Sequence, residues 1–144
     1  MKLPQYITTE EVQIVCRELG IRDWTSLTEA AVPIEEAQII QTDIGAEATQ
    51  VTADEFRRGL EVELEHGLQF SDANVTNNHP LLTGKIVLAH LKETLDYYLR
   101  LEVAELEGGI PKALSKGDLA RVVEKYRKLI LARVALSSSE ASHL

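Results

Sequence analysis

Apolar residues recur at helical spacing through most of the chain, and the elements follow from where that periodicity starts and stops. Thr8 and Thr9 precede Glu10 and Glu11, an N-cap followed by acidic residues at the positive end of a helix. The stripe Val12, Val15, Cys16, Leu19 then runs to Gly20, so the spacing predicts a short first helix closed by glycine. Residues 22–33 have weak periodicity and end in Pro33; they read as a connector in which Trp24 and Leu27 anchor to the core. Residues 33–46 repeat the first segment at an offset of 25 positions: Glu10, Glu11, Gln13, Ile14 and Gly20 return as Glu35, Glu36, Gln38, Ile39 and Gly45. Duplication and chance likeness between two amphipathic helices both account for such a match.

Thr52-Ala-Asp-Glu55 has the form of a capping box and opens a third helix over 53–66, with Phe56, Leu60 and Leu64 inward and Gly67 as its end. A stretch rich in Asn, Asp, Ser and Thr follows up to Pro80, whose side chains favour turns, and a loop of that length is often functional. Pro80 suits the first turn of a long fourth helix over 81–106, with Val87, Leu91, Leu95, Tyr98 and Leu99 facing the core and Gly108, Gly109 and Pro111 as stops. Leu119, Val122, Val123, Tyr126, Leu129, Ile130 and Val134 mark a last amphipathic helix to about residue 136, before a polar tail. The expected fold is all-α, a small bundle of about five helices with a polar loop between the third and fourth.

Composition narrows the classes of function. The 44% of hydrophobic residues is ordinary, but only 5% are aromatic, which suits helix packing better than a β-sandwich. A formal net charge of −8 argues against nucleic acid as a partner, because a phosphate backbone needs clustered positive charge. The basic run from Arg121 to Arg133 is interleaved with apolar residues and reads as a solvated helix face. Cys16 is the single cysteine, so an intrachain disulfide is excluded; on its apolar stripe it reads as a small hydrophobe. The first eight residues lack an apolar leader and no segment has the length of a membrane span, so the expected location is cytoplasmic, away from membranes.

No glycine-rich phosphate loop, nucleophile elbow, HExxH or cysteine pair is present. What stands out is carboxylate and imidazole around Glu61-Val-Glu-Leu-Glu-His66, then the polar loop, then His90 and Glu93. At 100° per residue Glu63 lies about 20° from Phe56, on the packed side, whereas Glu61 and Glu65 project to solvent. Glu63 with His66, and His90 with Glu93, share i, i+3 spacing and would converge in an antiparallel pair as in carboxylate-bridged di-iron bundles. His90 sits roughly 15 Å along its helix, however, so the two pairs are not expected to be level. A hairpin instead favours Glu63 and His66 meeting the loop groups Asp72, Asn74, Asn77 and His79, a mixed N/O set suited to zinc or iron. The alternative is a structural clasp of Glu63, His66, Asn74, Thr76 and Asn77, with His66 closing the helix C-terminus.

The stretches Glu55-Phe-Arg-Arg-Gly-Leu-Glu-Val-Glu-Leu-Glu-His-Gly67, Asn74-Val-Thr-Asn77, Pro80-Leu-Leu-Thr-Gly-Lys-Ile-Val-Leu-Ala-His-Leu-Lys-Glu93 and Asp96-Tyr-Tyr-Leu-Arg-Leu101 resemble the DUF5661 family of small bacterial proteins of unknown function, over about residues 35–106. The resemblance implies no activity. It implies that the family loop ends in two acidic residues before proline, where this chain has Asn78 and His79, and that a proline common before Asp96 is replaced by Thr94-Leu95, favouring an unbroken helix. The expected organisation is an N-terminal helical extension over 1–31, a core over 32–107, a C-terminal helix over 112–137 and a disordered tail over 138–144. The first functional reading is a non-enzymatic module that binds a protein partner or another copy of itself. The second is a zinc or non-haem iron protein using Glu63, His66 and loop residues, with His90 and Glu93 as further ligands.

Overall fold

The computed structural model describes residues 7–45 and 51–142. Among them are six α-helices and no strand: α1 (Thr9–Leu19), α2 (Ile34–Asp43), α3 (Ala53–Gln69), α4 (Pro80–Glu93), α5 (Tyr97–Ser115) and α6 (Leu119–Ser142). The all-α class holds, with one helix more than the pattern predicted. The chain divides into two compact units, Met1–Lys92 and Glu93–Leu144. No described helix is long and apolar enough to cross a membrane.

In the first unit the helix starts are chemically specified. Thr8 and Glu11 close a capping box on α1, and Thr52 and Glu55 close another on α3, each satisfying two backbone N–H groups that a helix start leaves without partners. The core gathers Val12, Trp24, Ile40, Phe56, Leu60, Leu64 and Val87, all essentially without solvent contact. Gly84 lets α4 come close to its neighbours, since a Cβ there would stand 2.9 Å from Ile40 Cγ2 and 3.2 Å from Phe56 Cζ. The connector forms a 3₁₀ turn at Trp24–Ser26 capped by Asp23, and Trp24 is fully buried.

Trp24 is held by an acidic residue in the first turn of α2. Glu36 is 7% exposed, and its carboxylate accepts from the Arg22 backbone N–H (3.1 Å), from Arg22 Nε (2.7 Å) and from Trp24 Nε1 (3.2 Å). Burial pushes the Glu36 pKa up, but the hydrogen bonds from Arg22 and Trp24 more than reverse this and hold it below the ordinary value. Glu61, expected to project into water, instead accepts from the Val32 backbone N–H at 3.0 Å and from Arg57 at 2.9 Å. Cys16 is buried, and burial raises its pKa, in keeping with a packing role.

From α4 onward three expected boundaries are displaced. The helix beginning at Pro80 does not run unbroken to 106: it ends at Glu93, and α5 begins at Tyr97. Side-chain chemistry explains the break, because Thr94 Oγ1 donates to Asp96 Oδ1 at 2.5 Å while Arg100 grips both Asp96 oxygens at 2.9 and 2.7 Å. Thr and Asp that bond locally in this way compete with helix continuation. The expected stops at Gly108, Gly109 and Pro111 do not stop α5, which continues to Ser115. Gly109 instead makes room for the Lys125 side chain, whose Nζ would lie 2.8 Å from a Cβ there. Finally, α6 extends to Ser142, so 138–142 are helical where a tail was expected; residues 143 and 144 lie outside the described residues.

The second unit is a helical pair. Leu106, Leu129 and Ala132 form its buried core, with Val103 and Ile110 packed against them. Arg133 bonds Glu107 at 2.5 Å near the middle of the pair, and Arg100 bonds Glu140 at 2.7 Å at the end away from the α5–α6 turn.

Candidate functional site

The polar loop over 70–79 is folded by its amides. Asn74 Nδ2 donates to the Gly67 carbonyl at 3.2 Å and to Asn78 Oδ1 at 2.7 Å, and Thr76 Oγ1 donates to Asn74 Oδ1 at 3.1 Å. Asn77 Nδ2 reaches the Ile7 carbonyl and Thr9 Oγ1, both at 3.4 Å, fastening the loop to the start of α1. Asn77 and Asn78 have φ of 48° and 57°, the left-handed region that asparagine tolerates better than other side chains. Gly67 does not end α3, which runs to Gln69. It is the seat of the loop: a Cβ there would collide with Asn78 Oδ1 and crowd Asn74 Nδ2.

Between the C-terminal part of α3, this loop and α4 lies a cleft of about 240 Å³, lined by Glu63, His66, Phe70, Val75, Thr76, Thr83 and Ile86, with Gly67, Ala73 and Asn74. Phe70 is 50% and Val75 68% exposed, forming an apolar rim. Glu63 is mostly buried on the packed side of α3, as its helical phase required, and its Oε1 lies 3.1 Å from His90 Nδ1 on α4. The expectation that His90 would not be level with Glu63 is therefore corrected. α3 runs past Gly67 to Gln69, and the loop returns the chain so that α4 passes beside Glu63. His66 stacks at 6.5 Å and a tilt of 41° against Phe70.

His79 has a different task. Its Nδ1 accepts from the Leu82 backbone N–H at 3.4 Å and its carbonyl from Thr83 N–H at 2.9 Å, so it caps the start of α4. Burial lowers its pKa, partly offset by backbone hydrogen bonding and by Glu11, and the neutral ring is the form that can accept. Asp72 is exposed in the 3₁₀ turn Ser71–Ala73, and Glu93 is exposed as the last residue of α4. Among the described residues no three His, Cys, Asp or Glu side chains gather as a set that could hold a metal ion. Of the candidate residues, the structure thus brings Glu63 to His90, and His66, Asn74 and Thr76 to one cleft with Glu63.

Residues 12–107 match the family described as "Protein of unknown function (DUF5661)". The chain belongs to this family. The match starts at Val12, so all of α1 but its first three residues falls within the DUF5661 portion and is not an addition to it, as the shorter resemblance had implied. α6 lies beyond the match. No curated protein and no solved structure matches the chain significantly.

Sequence reasoning missed the Arg22, Trp24 and Glu36 cluster and the Asp96–Arg100 fork. Only the second carried a visible signal, an i, i+4 acid–base pair beside Thr94. Glu36 was hidden because it occupies a first-turn position, where an acidic residue is already explained by the helix dipole.

Proposed function

We propose that this DUF5661 member is a self-association module that pairs with a second copy of itself through α6. The observation that carries the reading is a second apolar stripe on that helix. Leu129 and Ala132 point into the helical pair, while Leu119, Val123, Tyr126, Ile130 and Val134 lie about 130° round the helix and are 64, 50, 56, 42 and 60% exposed. A surface helix normally carries one such stripe; a contiguous second one marks an interface.

Spacing selects a second copy as the occupant. The intervals along the stripe are 4, 3, 4 and 4 residues, nearly the same read in either direction. An antiparallel pairing about a twofold axis therefore sets Leu119 against Val134 and Val123 against Ile130, with Tyr126 near the axis. That is the self-complementarity an isologous interface requires. The same register places Arg127 of one copy beside Tyr126 of the other, a cation on a ring rather than two like charges opposed. Beyond the stripe, a shallow groove lined by Ile130, Arg133, Val134, Ser137, Ser138 and Ala141 continues the surface with small side chains that admit close approach. The stripe offers on the order of 500 Å² per copy, about 1,000 Å² in a symmetric pair, which reaches the lower bound for specific association.

Sedimentation equilibrium of the full chain decides the point. The expected result is a reversible dimer of twice 16.0 kDa, with Val123→Glu and Ile130→Glu each shifting the equilibrium to monomer at unchanged helicity. A chain that stays monomeric to millimolar concentration, or a dimer indifferent to both substitutions, overturns the proposal. So does association that appears only with a foreign helix.

A further inference from the structure

We infer that the cleft beside the loop is a binding site for a small neutral phenol, whose hydroxyl bonds Thr83 and whose ring lies on the apolar wall. This inference is independent of α6, since every lining residue belongs to the first unit. The observation that points to a ligand is Thr83 itself. The residue is 3% exposed, yet among the described residues its hydroxyl has no hydrogen-bond partner. A helical threonine can return its hydroxyl to the carbonyl four residues back, but here the His79 carbonyl accepts the Thr83 backbone N–H instead, at 2.9 Å. Among the described residues no side-chain polar atom is both sealed from solvent and unbonded, so the Thr83 hydroxyl reaches open space. Thr83 lines the cleft and is otherwise enclosed; the open space is the cleft.

The other polar side chains of the lining are engaged by the fold. Asn74 Nδ2 donates to Gly67 O and Asn78 Oδ1, the Thr76 hydroxyl donates to Asn74 Oδ1, Glu63 faces His90, and His66 stacks on Phe70. The His66 ring and the loop backbone N–H groups bring donors to this wall, while Glu63 and the loop carbonyls bring acceptors. The polar group of the guest therefore has to serve both kinds. A hydroxyl donates one bond and accepts others, whereas an ammonium only donates and a carboxylate only accepts. A carboxylate would also meet the charge of Glu63. Size and shape then select the body. About 240 Å³ lies below the usual range for drug-sized ligands and admits on the order of ten non-hydrogen atoms, a single ring with its substituents. Phe70, Val75 and Ile86 form an apolar wall, and the Phe70 and His66 rings, 6.5 Å apart at a tilt of 41°, make an angled corner against which a third ring packs.

The test titrates the full chain with 4-methylphenol, toluene and 4-methylbenzoate while amide chemical shifts are followed. The expected result with 4-methylphenol is saturable shifts confined to 63–76 and 83–86. Toluene lacks the hydroxyl and should bind roughly fivefold more weakly, the worth of one neutral hydrogen bond. The benzoate should produce no saturation. Thr83→Val keeps the outline of the side chain and removes its hydroxyl. It should bring 4-methylphenol down to the affinity of toluene and leave toluene unchanged. The unliganded variant should melt no lower than the native chain, because no bond within the protein is lost. Equal binding of 4-methylphenol and toluene by the native chain would reduce the cleft to an apolar crevice and overturn the assignment. Saturation by 4-methylbenzoate, shifts centred elsewhere, or no saturation with 4-methylphenol at millimolar concentration would do the same. A Thr83→Val chain that melts lower or fails to fold would show that the hydroxyl is already bonded within the protein, and that too overturns it.

Discussion

Two helices of this protein share a register and use it differently. α1 and α2 are offset by 25 positions, and burial repeats with them: Val12 and Cys16 in α1 correspond to Ala37 and Gln41 in α2, and all four are buried. Ile14 and Ile39 are 39 and 38% exposed, and Gly20 and Gly45 both take positive φ after the helix. The acids diverge. Glu11 stays at the surface and closes a capping box with Thr8, whereas its counterpart Glu36 is buried and collects Arg22 and Trp24. α2 begins instead at Pro33, with no side-chain cap. A repeated pattern of apolar positions thus determines which face is buried. What surrounds each copy determines whether the polar residue at a given step is a surface cap or an internal anchor.

The comparison predicts its largest asymmetry at the acids. Glu36→Ala leaves the buried Trp24 Nε1 and the Arg22 backbone N–H without their acceptor, and a loss of roughly 2–4 kcal/mol is expected in urea unfolding. The pH profile carries the same signature. The folded pKa of Glu36 lies below its unfolded value near 4.5, so the stabilisation is complete above that pH and is lost as pH falls through the folded pKa. Glu36→Gln should flatten the fall of the melting temperature as pH drops below the unfolded value near 4.5; a profile as steep as the native one would remove Glu36 from the account.

A smaller difference is expected at the second buried step. Gln41 Nε2 donates to the Val51 carbonyl at 2.5 Å, linking α2 to the residue before the α3 cap, whereas Cys16 at the equivalent step packs as a hydrophobe. Gln41→Met keeps the volume but leaves that buried carbonyl short of a partner, at an expected cost of about 1–2 kcal/mol. Cys16→Ala should cost about 1 kcal/mol, as loss of a small apolar group without an orphaned polar one. Equal costs for the two would mean that the Gln41 contact adds nothing beyond packing.

These pairs also show which parts of the molecule the sequence made legible. Helical class, the N-cap of α1, the capping box of α3, the buried Trp24 and the polar loop between α3 and α4 all follow from spacing and cap residues, which are local signals. The loop's seat at Gly67 was misread because a glycine near a helix end is usually its terminator, and only the fold shows that two asparagines need its missing side chain. The same bias turned Gly108, Gly109 and Pro111 into stops, although α5 continues through them. The pairing of Glu63 with His90 depends on how α3 and α4 lie against each other, which no spacing within one helix encodes. The two stripes of α6 were visible as apolar residues, but their separation into a buried and an exposed face required knowing where α5 lies.

The most local effect in the comparison lies at the cap that α1 has and α2 lacks. Thr8 Oγ1 accepts from the Glu11 backbone N–H at 3.2 Å, and Glu11 Oε2 accepts from the Thr8 backbone N–H at 2.7 Å and from its hydroxyl at 2.8 Å. The Thr8 backbone and side-chain hydrogen bonds lower the Glu11 pKa, so its share of the cap is present above the ordinary carboxylate value and fades as pH falls through the folded one. Thr8→Ala removes the hydroxyl from both ends of this exchange and should cost about 1 kcal/mol. The effect should be local, because the cap stands at the exposed start of α1, beside the point where Asn77 ties the loop to Ile7 and Thr9. Amide hydrogen exchange therefore distinguishes a local cap from a wider one. Faster exchange is expected in the first turn of α1 and at 74–79, with the Trp24 indole N–H unchanged. If the indole also loses protection in Thr8→Ala, the two acids belong to one cooperative unit and the contrast between surface cap and internal anchor does not hold.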